Sequence, residues 1–453
     1  MKLGIVKYKW FSEGGCRLDS TFHLSDGRLH RKLIEKSKYG SNKLEEISSN
    51  IFNGARFKRY YVSSEELGVP FMGSSDMMKL DLNGIKLLSK KLTKNIEALR
   101  LKQGWILVSC SGTIGNTVFA NSDYENKTAS QHILRIVPNS KIESGYLYAF
   151  LSSKFGYSLL TQGTYGAVIQ HIEPQHIKSL PVPIFENDMQ HEIHTLINDA
   201  SILRVKANKS LSEAILFFES IIGKSKVHLG FQTGSIRSRM LSKNYKRLDA
   251  QFQLIKKELK IGVNKELNYS KIGVYASSIF VGGRGKRNYV ENGVPFLSSS
   301  EMMLFNPKRG CKNVSKTNPG LSSMIVSKKD ILISRSGTVG NTVLVGSDLN
   351  GTAISEHALR LIIDQNKISP NYVFCFLKTK YGMKSMEASS FGSVIITLNE
   401  DLIANINMPI LDVAAQKTIN DLIDGYISGM DEATLKENQA IDLVEKEIES
   451  WQK

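Results

Sequence analysis

Two segments of the chain carry apolar residues at every third or fourth position, which is the spacing of one face of an α-helix. Each segment begins shortly after a proline-containing strand end, at Pro183 and Pro409, and neither contains a later proline. Stripes this long and narrow are typical of a coiled-coil seam, so we expect the two helices to pair with each other. The alternative is that each helix packs only on its own domain. The stripe positions are Met189, Ile193, Leu196, Ala200, Leu203, Ala207, Leu211, Ala214, Phe218 and Ile222, then Ile419, Leu422, Tyr426, Met430, Ala433, Ile441, Val444, Ile448 and Trp451, with a polar interruption around Glu437.

A long stretch with mixed helix and strand patterning precedes each helical segment, and the two stretches repeat one another at a period near 226. IFNGARFKRYYV from Ile51 returns as IFVGGRGKRNYV from Ile279. WILVSCSGTIGNTVFA from Trp105 returns as DILISRSGTVGNTVLV from Asp330. Further matches join Arg17-Leu18-Asp19 to Arg247-Leu248-Asp249, GVPF from Gly68 to GVPF from Gly293, Ser130, His132, Leu134 and Arg135 to Ser355, His357, Leu359 and Arg360, and Gly166, Val168 and Ile169 to Gly392, Val394 and Ile395.

The repeat and the stripes together predict the architecture. At 453 residues the chain is too long for one ordinary core and long enough for two domains with connectors. We expect an α+β protein with two repeated mixed α/β domains, separated by two long helices that pair as an antiparallel coiled coil. The predicted parts are residues 1–185, 186–228, 229–411 and 412–453, in the order domain, helix, domain, helix.

Composition and cysteine usage exclude several classes of protein. Hydrophobic residues make up 41% and charged residues 23% of the chain, and no apolar run approaches the roughly 18 to 20 residues that span a bilayer. The first residues include no apolar segment typical of an export signal, so we expect a cytoplasmic protein without membrane contact. The cysteines are far apart and no histidine cluster accompanies them, which predicts reduced thiols and no metal site. They are Cys16, Cys110, Cys311 and Cys375.

Positive charge is concentrated outside the predicted helices. Residues 186–226 carry a net charge of −1 and residues 412–453 a net charge of −6, although the whole chain carries +16. The two globular parts therefore hold +23 between them. A positive surface of this size is what contact with nucleic-acid phosphates requires, and its sign excludes an acidic DNA mimic. Excess lysine that merely aids solubility is the alternative, and the segregation argues against it.

With these features in view, the whole chain resembles the specificity subunits of type I restriction-modification systems. The resemblance is carried by the duplicated domain, by ILVSCSGTIGN and ILISRSGTVGN near the middle of each copy, and by the VPF and RLD elements. It implies that each globular part is a target-recognition domain reading one half of a bipartite site in double-stranded DNA. It further implies that the helices act as a ruler and dock DNA methyltransferase (modification) subunits, while methyl transfer and ATP-driven cleavage belong to those and to restriction/translocase subunits.

The residues agree with a chain that has no catalytic centre and no cofactor. The candidate for a base-methylating Asn-Pro-Pro-aromatic loop, Asn318-Pro319, continues with Gly320. Gly223-Lys224-Ser225 ends like a phosphate-binding loop, but Phe218 stands where the first glycine is required. Two other readings remain open at this point: a stand-alone DNA-binding regulator with two reading heads, and a nuclease or methyltransferase with a degenerate motif.

The S-G-T-x-G-N segment of each copy is a candidate site in the form of a strand, a tight turn and a second strand. Gly112 and Gly115, like Gly337 and Gly340, allow unusual dihedral angles in the turn. The polar side chains there are suited to phosphate oxygens or base edges, although they would equally satisfy their own turn. These candidate DNA-binding residues are Ser111, Thr113, Asn116, Ser336, Thr338 and Asn341.

A basic segment in each copy is a second candidate for DNA contact. Arginine and lysine recur there in register beside an aromatic residue, Tyr61 in one copy and Tyr289 in the other. We expect these side chains to position the DNA rather than to read its sequence. They are Arg56, Lys58 and Arg59 in the first copy and Arg284, Lys286 and Arg287 in the second.

Candidates for reading the DNA sequence are aligned positions at which the surrounding residues match between the copies but the side chain itself differs. This follows because the two copies would read different half-sites. By hydrogen-bonding pattern, Arg335 suits guanine, Asn288 and Gln131 suit adenine, and Glu356 is able to accept from cytosine. Drift in a solvated loop would produce the same differences. The compared pairs are Cys110 with Arg335, Phe57 with Gly285, Tyr60 with Asn288, Gln131 with Glu356, and Gln170 with Ile396.

Overall fold

The fold consists of two compact units, the first of which is built from two distant parts of the chain. Unit 1 combines residues 1–205 with residues 432–453, and unit 2 comprises residues 206–431. The computed structural model describes residues 5–13, 19–164, 171–223, 266–336, 338–392 and 396–451, together with positions 253, 259 and 264. Some residues discussed above lie outside the described parts, namely Cys16, Arg17, Leu18, Gly166, Val168, Ile169, Gln170, Lys224, Ser225, Arg247, Leu248, Asp249, Gly337, Val394 and Ile395.

Unit 1 is a mixed α/β domain with short helices around small sheets. Its helices are α1 (Tyr8–Glu13), α2 (Ser20–His23), α3 (Asp26–Glu35), α4 (Ser122–Glu125), α5 (Ser144–Ser152), α6 (Lys154–Gln162) and α7 (Pro174–Lys178), followed by the long helix α8 (Asn187–Ile222). Its strands are β1 (Ser41–Lys43), β2 (Ser48–Asn53), β3 (Tyr61–Val62), β4 (Gly68–Met72), β5 (Leu87–Ser89), β6 (Ile106–Ser109), β7 (Thr117–Phe119), β8 (Thr128–Ala129), β9 (Ile133–Pro138) and β10 (Pro181–Pro183).

The strands of unit 1 form an antiparallel sheet, a mixed sheet and a two-stranded ribbon. The antiparallel sheet has the order β2-β9-β6-β7. The mixed sheet has the order β3-β5-β4-β8, in which β4 and β8 run parallel, and the ribbon pairs β1 with β10. Strand β6 reads Ile-Leu-Val-Ser and is buried at every position because it lies between β9 and β7 and is covered on both faces.

Unit 2 repeats this architecture strand for strand. Its elements are β11 (Asn268–Lys271), α9 (Ile272–Tyr275), β12 (Ala276–Val281), β13 (Tyr289–Val290), β14 (Val294–Leu297), β15 (Lys312–Val314), β16 (Ile331–Ser334), β17 (Thr342–Leu344), β18 (Ala353–Ile354), β19 (Ala358–Ile363), α10 (Pro370–Lys378), α11 (Lys380–Ser389), α12 (Glu400–Ala404), β20 (Asn407–Ile410) and the long helix α13 (Val413–Ser450). The sheet orders are β12-β19-β16-β17, β13-β15-β14-β18 and β11-β20. The predicted α+β fold with two repeated domains is confirmed.

The antiparallel four-stranded sheet has a shift in strand register at the same place in both units. The register with β9 shifts between Ser48 and Asn50, and the register with β19 shifts between Ala276 and Ser278. A bulge of this kind inserts one extra residue and bends the strand. Its presence in both copies shows that the repeat extends to the backbone path and is not limited to the apolar pattern.

The two long helices complete the core of unit 1. Ile193 and Ile197 of α8 and Ile441, Val444 and other residues of α13 belong to the same buried cluster as the sheet and helix α5. The two helices run antiparallel here, since Asp199 pairs with Lys436 at 3.1 Å while the ring of Phe185 contacts that of Trp451. The predicted pairing of the helices is therefore confirmed. In the described part of the chain, no helix is both long and apolar enough to cross a membrane.

The polar interruption at Glu437 is part of this seam. Its side chain is 1% exposed, and both carboxylate oxygens accept hydrogen bonds from the Arg204 guanidinium, at 3.2 and 2.8 Å. The Tyr148 hydroxyl donates to the same carboxylate. Burial first, and then the charge of Glu437, raise the pKa of Tyr148 well above its ordinary value, so its hydroxyl keeps the proton that it donates.

Unit 2 has apolar side chains at the positions that correspond to this polar cluster. Leu211 stands where unit 1 has Glu437, Met430 where it has Arg204, and Phe374 where it has Tyr148. All three are buried, and Phe374 stacks on Tyr426 at 6.1 Å between ring centroids. The same packing site is thus filled by a buried ion pair in one unit and by hydrocarbon in the other.

We predict that Glu437→Leu destabilises unit 1 by about 3–5 kcal/mol, because it leaves the Arg204 charge buried without its partner. The matched control carries Arg204→Met, Glu437→Leu and Tyr148→Phe together and so copies unit 2; it should recover most of that loss. Urea unfolding followed by tryptophan fluorescence reports on unit 1 alone, since Trp10, Trp105 and Trp451 all belong to it. A single variant as stable as the parent would contradict the burial of this pair.

Candidate nucleic-acid interface

The S-G-T-x-G-N segment of unit 1 forms the predicted hairpin between β6 and β7. Ser109, the last residue of β6, holds the turn through its side chain: its hydroxyl donates to the Thr113 carbonyl at 2.5 Å and accepts from the Asn116 backbone N–H at 3.0 Å. Ser334 does the same in unit 2 with Thr338 and Asn341. We did not single out Ser109 or Ser334 from the sequence, although both copies carry serine at this position.

Two glycines of these turns have backbone angles that explain their residue type. Gly115 has a φ of +86° and Gly340 a φ of +89°, in the left-handed region that favours glycine. A Cβ at Gly115 would also lie 3.0 Å from the Tyr157 ring, whereas Gly340 has more room. Thr113 and Thr338 are exposed at the turn, while Asn116 and Asn341 are half-buried.

A chain of hydrogen bonds connects the basic segment of unit 1 to this turn. The Arg59 Nη2 donates to the Gln131 Oε1 at 2.9 Å, and the Gln131 Nε2 lies 2.9 Å from the His132 Nε2. Because an amide nitrogen only donates, the His132 Nε2 accepts, and its Nδ1 donates to the Ser111 hydroxyl at 2.6 Å. Burial first, and then Arg59, lower the pKa of His132, which agrees with the neutral imidazole that this direction requires.

Unit 2 contains the corresponding series of interacting side chains, with the Glu356 carboxylate in place of the Gln131 amide. Arg287 forms an ion pair with Glu356, and the Ser336 hydroxyl lies 2.9 Å from the His357 Nδ1. Burial alone would raise the pKa of Glu356. The hydrogen bond from its own backbone N–H and the charge of Arg287 outweigh burial and hold that pKa below its ordinary value. His132 and His357 therefore join the candidate site. We did not propose them from the sequence, although their recurrence in both copies is a signal that could have identified them.

Arg59 and Arg287, which pair with Gln131 and Glu356, each also lie over an aromatic ring of the mixed sheet. The Arg59 guanidinium carbon is 5.1 Å from the centroid of Phe71, and that of Arg287 is 4.7 Å from the centroid of Phe296. These rings come from the repeated GVPF element. The phenylalanine of each GVPF element thus packs against an arginine of the basic segment, whereas the sequence showed this element only as a repeat.

The other basic candidates are on the surface of their units. Arg56, Lys58, Arg284, Lys286 and the neighbouring Asn288 are all exposed. Strand pairing adds two lysines that the linear sequence did not reveal, because they become neighbours only when the mixed sheet forms. Lys86 lies over the Tyr61 ring at 5.5 Å, and Lys312 lies over the Tyr289 ring at 5.1 Å.

Two of the compared pairs differ in burial as well as in side chain. Cys110 is 3% exposed, and burial raises the pKa of its thiol to about 11, whereas Arg335 is half-buried and reaches the surface. Phe57 packs on the buried cluster around Phe71, while Gly285 is exposed. Ile396 is 39% exposed, and its counterpart lies outside the described residues. In the first two pairs, the residue of unit 1 is therefore less exposed than its counterpart in unit 2.

Arg135 and Arg360 show that a repeated basic residue need not be a contact residue. Arg135 is 0% exposed and donates to the carbonyl oxygens of Ala129, Ser130 and Ile133. Arg360 is 2% exposed and donates to backbone carbonyls in unit 2. Burial lowers the pKa of each guanidinium to about 10. Both arginines hold backbone segments together beneath the surface.

No group of three or more His, Cys, Asp or Glu side chains within the described residues is arranged to hold a metal ion. Hydrogen-bond donors that are held in fixed positions on a basic surface are suited to contacting the phosphates and base edges of a nucleic acid. Both units carry this arrangement on the same backbone fold, with different side chains at several positions.

A family model described as "Type I restriction modification DNA specificity domain" matches the chain twice, over residues 36–215 and 263–443. Among solved structures, the chain is similar to the S subunit of a type I restriction-modification system from M. genitalium, with 15% identity, a TM-score of 0.32, and coverage of 89% of this chain and 95% of that one. It is also similar to the HsdS subunit from Thermoanaerobacter tengcongensis, with 12% identity, a TM-score of 0.29, and coverage of 92% and 98%. No curated protein is similar enough to count as a match.

We predict that Ser109→Ala loosens the turn of unit 1, because the Thr113 carbonyl and the Asn116 N–H lose their partner, at a cost of about 1–3 kcal/mol. Amide hydrogen exchange of the 109–117 segment should become faster, while the 334–342 segment of unit 2 keeps its rate and serves as the internal control. Thr113→Ser, at an exposed position, should leave both rates unchanged. Unchanged exchange in the Ser109→Ala variant would show that the hydroxyl does not hold the turn.

Proposed function

The chain belongs to the type I restriction modification DNA specificity family, and from this premise we propose that each of its two units reads one half of a bipartite target in double-stranded DNA. DNA target recognition within a type I restriction-modification complex is the role of this family, and its specificity subunits are typically non-catalytic. The family assignment favours this role over a stand-alone regulator or a degenerate nuclease or methyltransferase.

The observation that carries the proposal is the duplicated surface of hairpin, basic segment and mixed sheet. The residues that we propose for the DNA-binding surface are those of the sequence analysis, namely Arg56, Lys58, Arg59, Ser111, Thr113, Asn116 and Gln131 in unit 1, and Arg284, Lys286, Arg287, Asn288, Arg335, Ser336, Thr338, Asn341 and Glu356 in unit 2. Exposed basic side chains such as Arg56, Lys58, Arg284 and Lys286 supply phosphate contacts, and side chains that reach base edges supply selectivity. The net charge of +23 outside the helical segments supports the phosphate contacts.

We propose that the subunit acts with partners that carry the chemistry. These are DNA methyltransferase (modification) subunits and restriction/translocase subunits, with which it would assemble in the cytoplasm. The long helices are the docking candidates, because they carry little net charge or an acidic one and present long surfaces outside the reading sheets. Their second role is to fix the number of unspecified base pairs between the half-sites.

Modular reading is tested by exchanging residues 1–185 for the corresponding part of a relative with a different target. We expect one half-site of the recognised sequence to change and the other to persist, because each unit carries its own basic surface and hairpin. The recognised sequence is read by selecting bound duplexes from a randomised pool. The reciprocal exchange of residues 229–411 is the matched control. Both half-sites changing together in either chimera would exclude independent reading.

The ruler role is tested by adding four residues after Val205 in α8 and four after Asp431 in α13, which preserves the helix pairing inside each unit. Four residues lengthen a helix by about 6 Å and rotate it by about 40° beyond a full turn. One base pair of B-DNA adds about 3.4 Å and roughly 35°. Because the rotation matches one base pair, we expect the spacer to grow by one base pair with both half-sites unchanged.

A two-residue insertion at the same two places is the control for this measurement. It rotates one part of each helix by about 200° relative to the other, so it should abolish recognition of any single spacer. The ruler role is wrong if the four-residue insertion leaves the spacer as it was or changes the half-site sequences.

A further inference from the structure

We propose that Arg59 and Arg287 each read a guanine, held in orientation by the side chain at position 131 or 356 and by the aromatic ring beneath. Gln131 and Glu356 are then positioning residues and do not themselves read a base. This inference rests on the proposed DNA-reading function, and it changes the roles that the sequence suggested. There, the arginines were expected to contact phosphates and Glu356 to accept from cytosine.

The geometry restrains each guanidinium from two directions. In unit 1, Gln131 accepts from the Nη2 of Arg59, and the Arg59 guanidinium carbon lies over the Phe71 ring at 5.1 Å from its centroid. In unit 2, Glu356 takes the place of the amide and Phe296 that of the ring. The two partners come from separate parts of the chain, the loop after β8 or β18 and the strand β4 or β14, so their convergence in both copies is a property of the shared fold.

An arginine guanidinium that is held in one orientation is better suited to a base edge than to a phosphate. Phosphate contact requires mainly positive charge, which the exposed Arg56 and Lys58, with Arg284 and Lys286 in unit 2, already supply. Guanine presents two acceptors, N7 and O6, that match two parallel donors of arginine in one plane. Arginine has five donor hydrogens, so one bond to Gln131 or Glu356 leaves enough for this contact.

The exposure of the ion pair in unit 2 agrees with this division of roles. The side chain of Arg287 is 26% exposed, whereas that of Glu356 is 12% exposed. The carboxylate is therefore largely covered and already engaged, while part of the guanidinium reaches the surface.

The test uses the full-length chain with the other subunits of its complex and a pool of duplexes randomised across both half-sites. Arg287→Lys keeps the charge and removes the fork. We expect it to lower the preference for guanine at one position of one half-site by roughly 5- to 100-fold, the range of a bidentate contact. The other half-site should be unchanged, which shows that the variant is folded and bound. Arg59→Lys should give the corresponding loss in the other half-site.

The variants at the positioning residue separate its role from direct reading. Glu356→Ala should lower the preference at the same base pair as Arg287→Lys, and the double variant should lose no more than Arg287→Lys alone. Glu356→Gln should keep most of the preference, because unit 1 holds its arginine with glutamine. The salt dependence of binding should keep its slope in Arg287→Lys, and Arg287→Gln should also leave it unchanged, since removing a phosphate contact would reduce that slope by about 0.9.

Two results would overturn the inference. One is a uniform loss of affinity in Arg287→Lys, with every base preference kept, since that is the behaviour of a phosphate contact. The other is a change at a different base pair in Glu356→Ala, since that would make Glu356 a reader in its own right. Failure of the proposed function is distinguishable from both, because the parent chain itself would then select no pair of half-sites.

Discussion

The antiparallel pairing of the two long helices is the constraint on which the rest of the structure depends. The core of unit 1 is not closed by its own globular part, since residues from 432 onward contribute Ile441, Val444 and Ile448 to it. Unit 2 likewise includes the later part of α8 and the earlier part of α13. A change that slips one helix against the other would therefore disturb the sheets that carry the proposed DNA-reading surfaces.

The buried Arg204–Glu437 pair fixes which turns of the helices meet, because moving either charge by one turn would leave it buried without a partner. The sequence predicted the helices, the repeat and the hairpins, since each is encoded by local periodicity or by direct similarity between the copies. It did not predict this pair. Arg204 and Glu437 lie far apart in the chain, and Glu437 seemed only to interrupt an apolar stripe.

The same limit applies to the candidate site. The basic segment and the turn were visible because their residues recur in register, but the partners of Arg59 depend on strand pairing. Gln131 follows β8, which runs parallel to β4, and β4 carries Phe71. Comparison of the two copies also overstated some positions, since Cys110 and Phe57 differ from their counterparts, yet Cys110 is buried and Phe57 packs half-buried against the Phe71 cluster. Burial, which the sequence does not give, separates the candidate residues that reach the surface from those that belong to the framework of the domain.

Two reading surfaces with one frame and different side chains, carried on a single chain, are the central claim of this account. The most direct measurement is the sequence recognised by the unmodified complex, obtained by selecting bound duplexes from a fully randomised pool. The account predicts two specified blocks of different sequence, separated by a fixed number of unspecified base pairs. One continuous block, or two identical blocks, would contradict it.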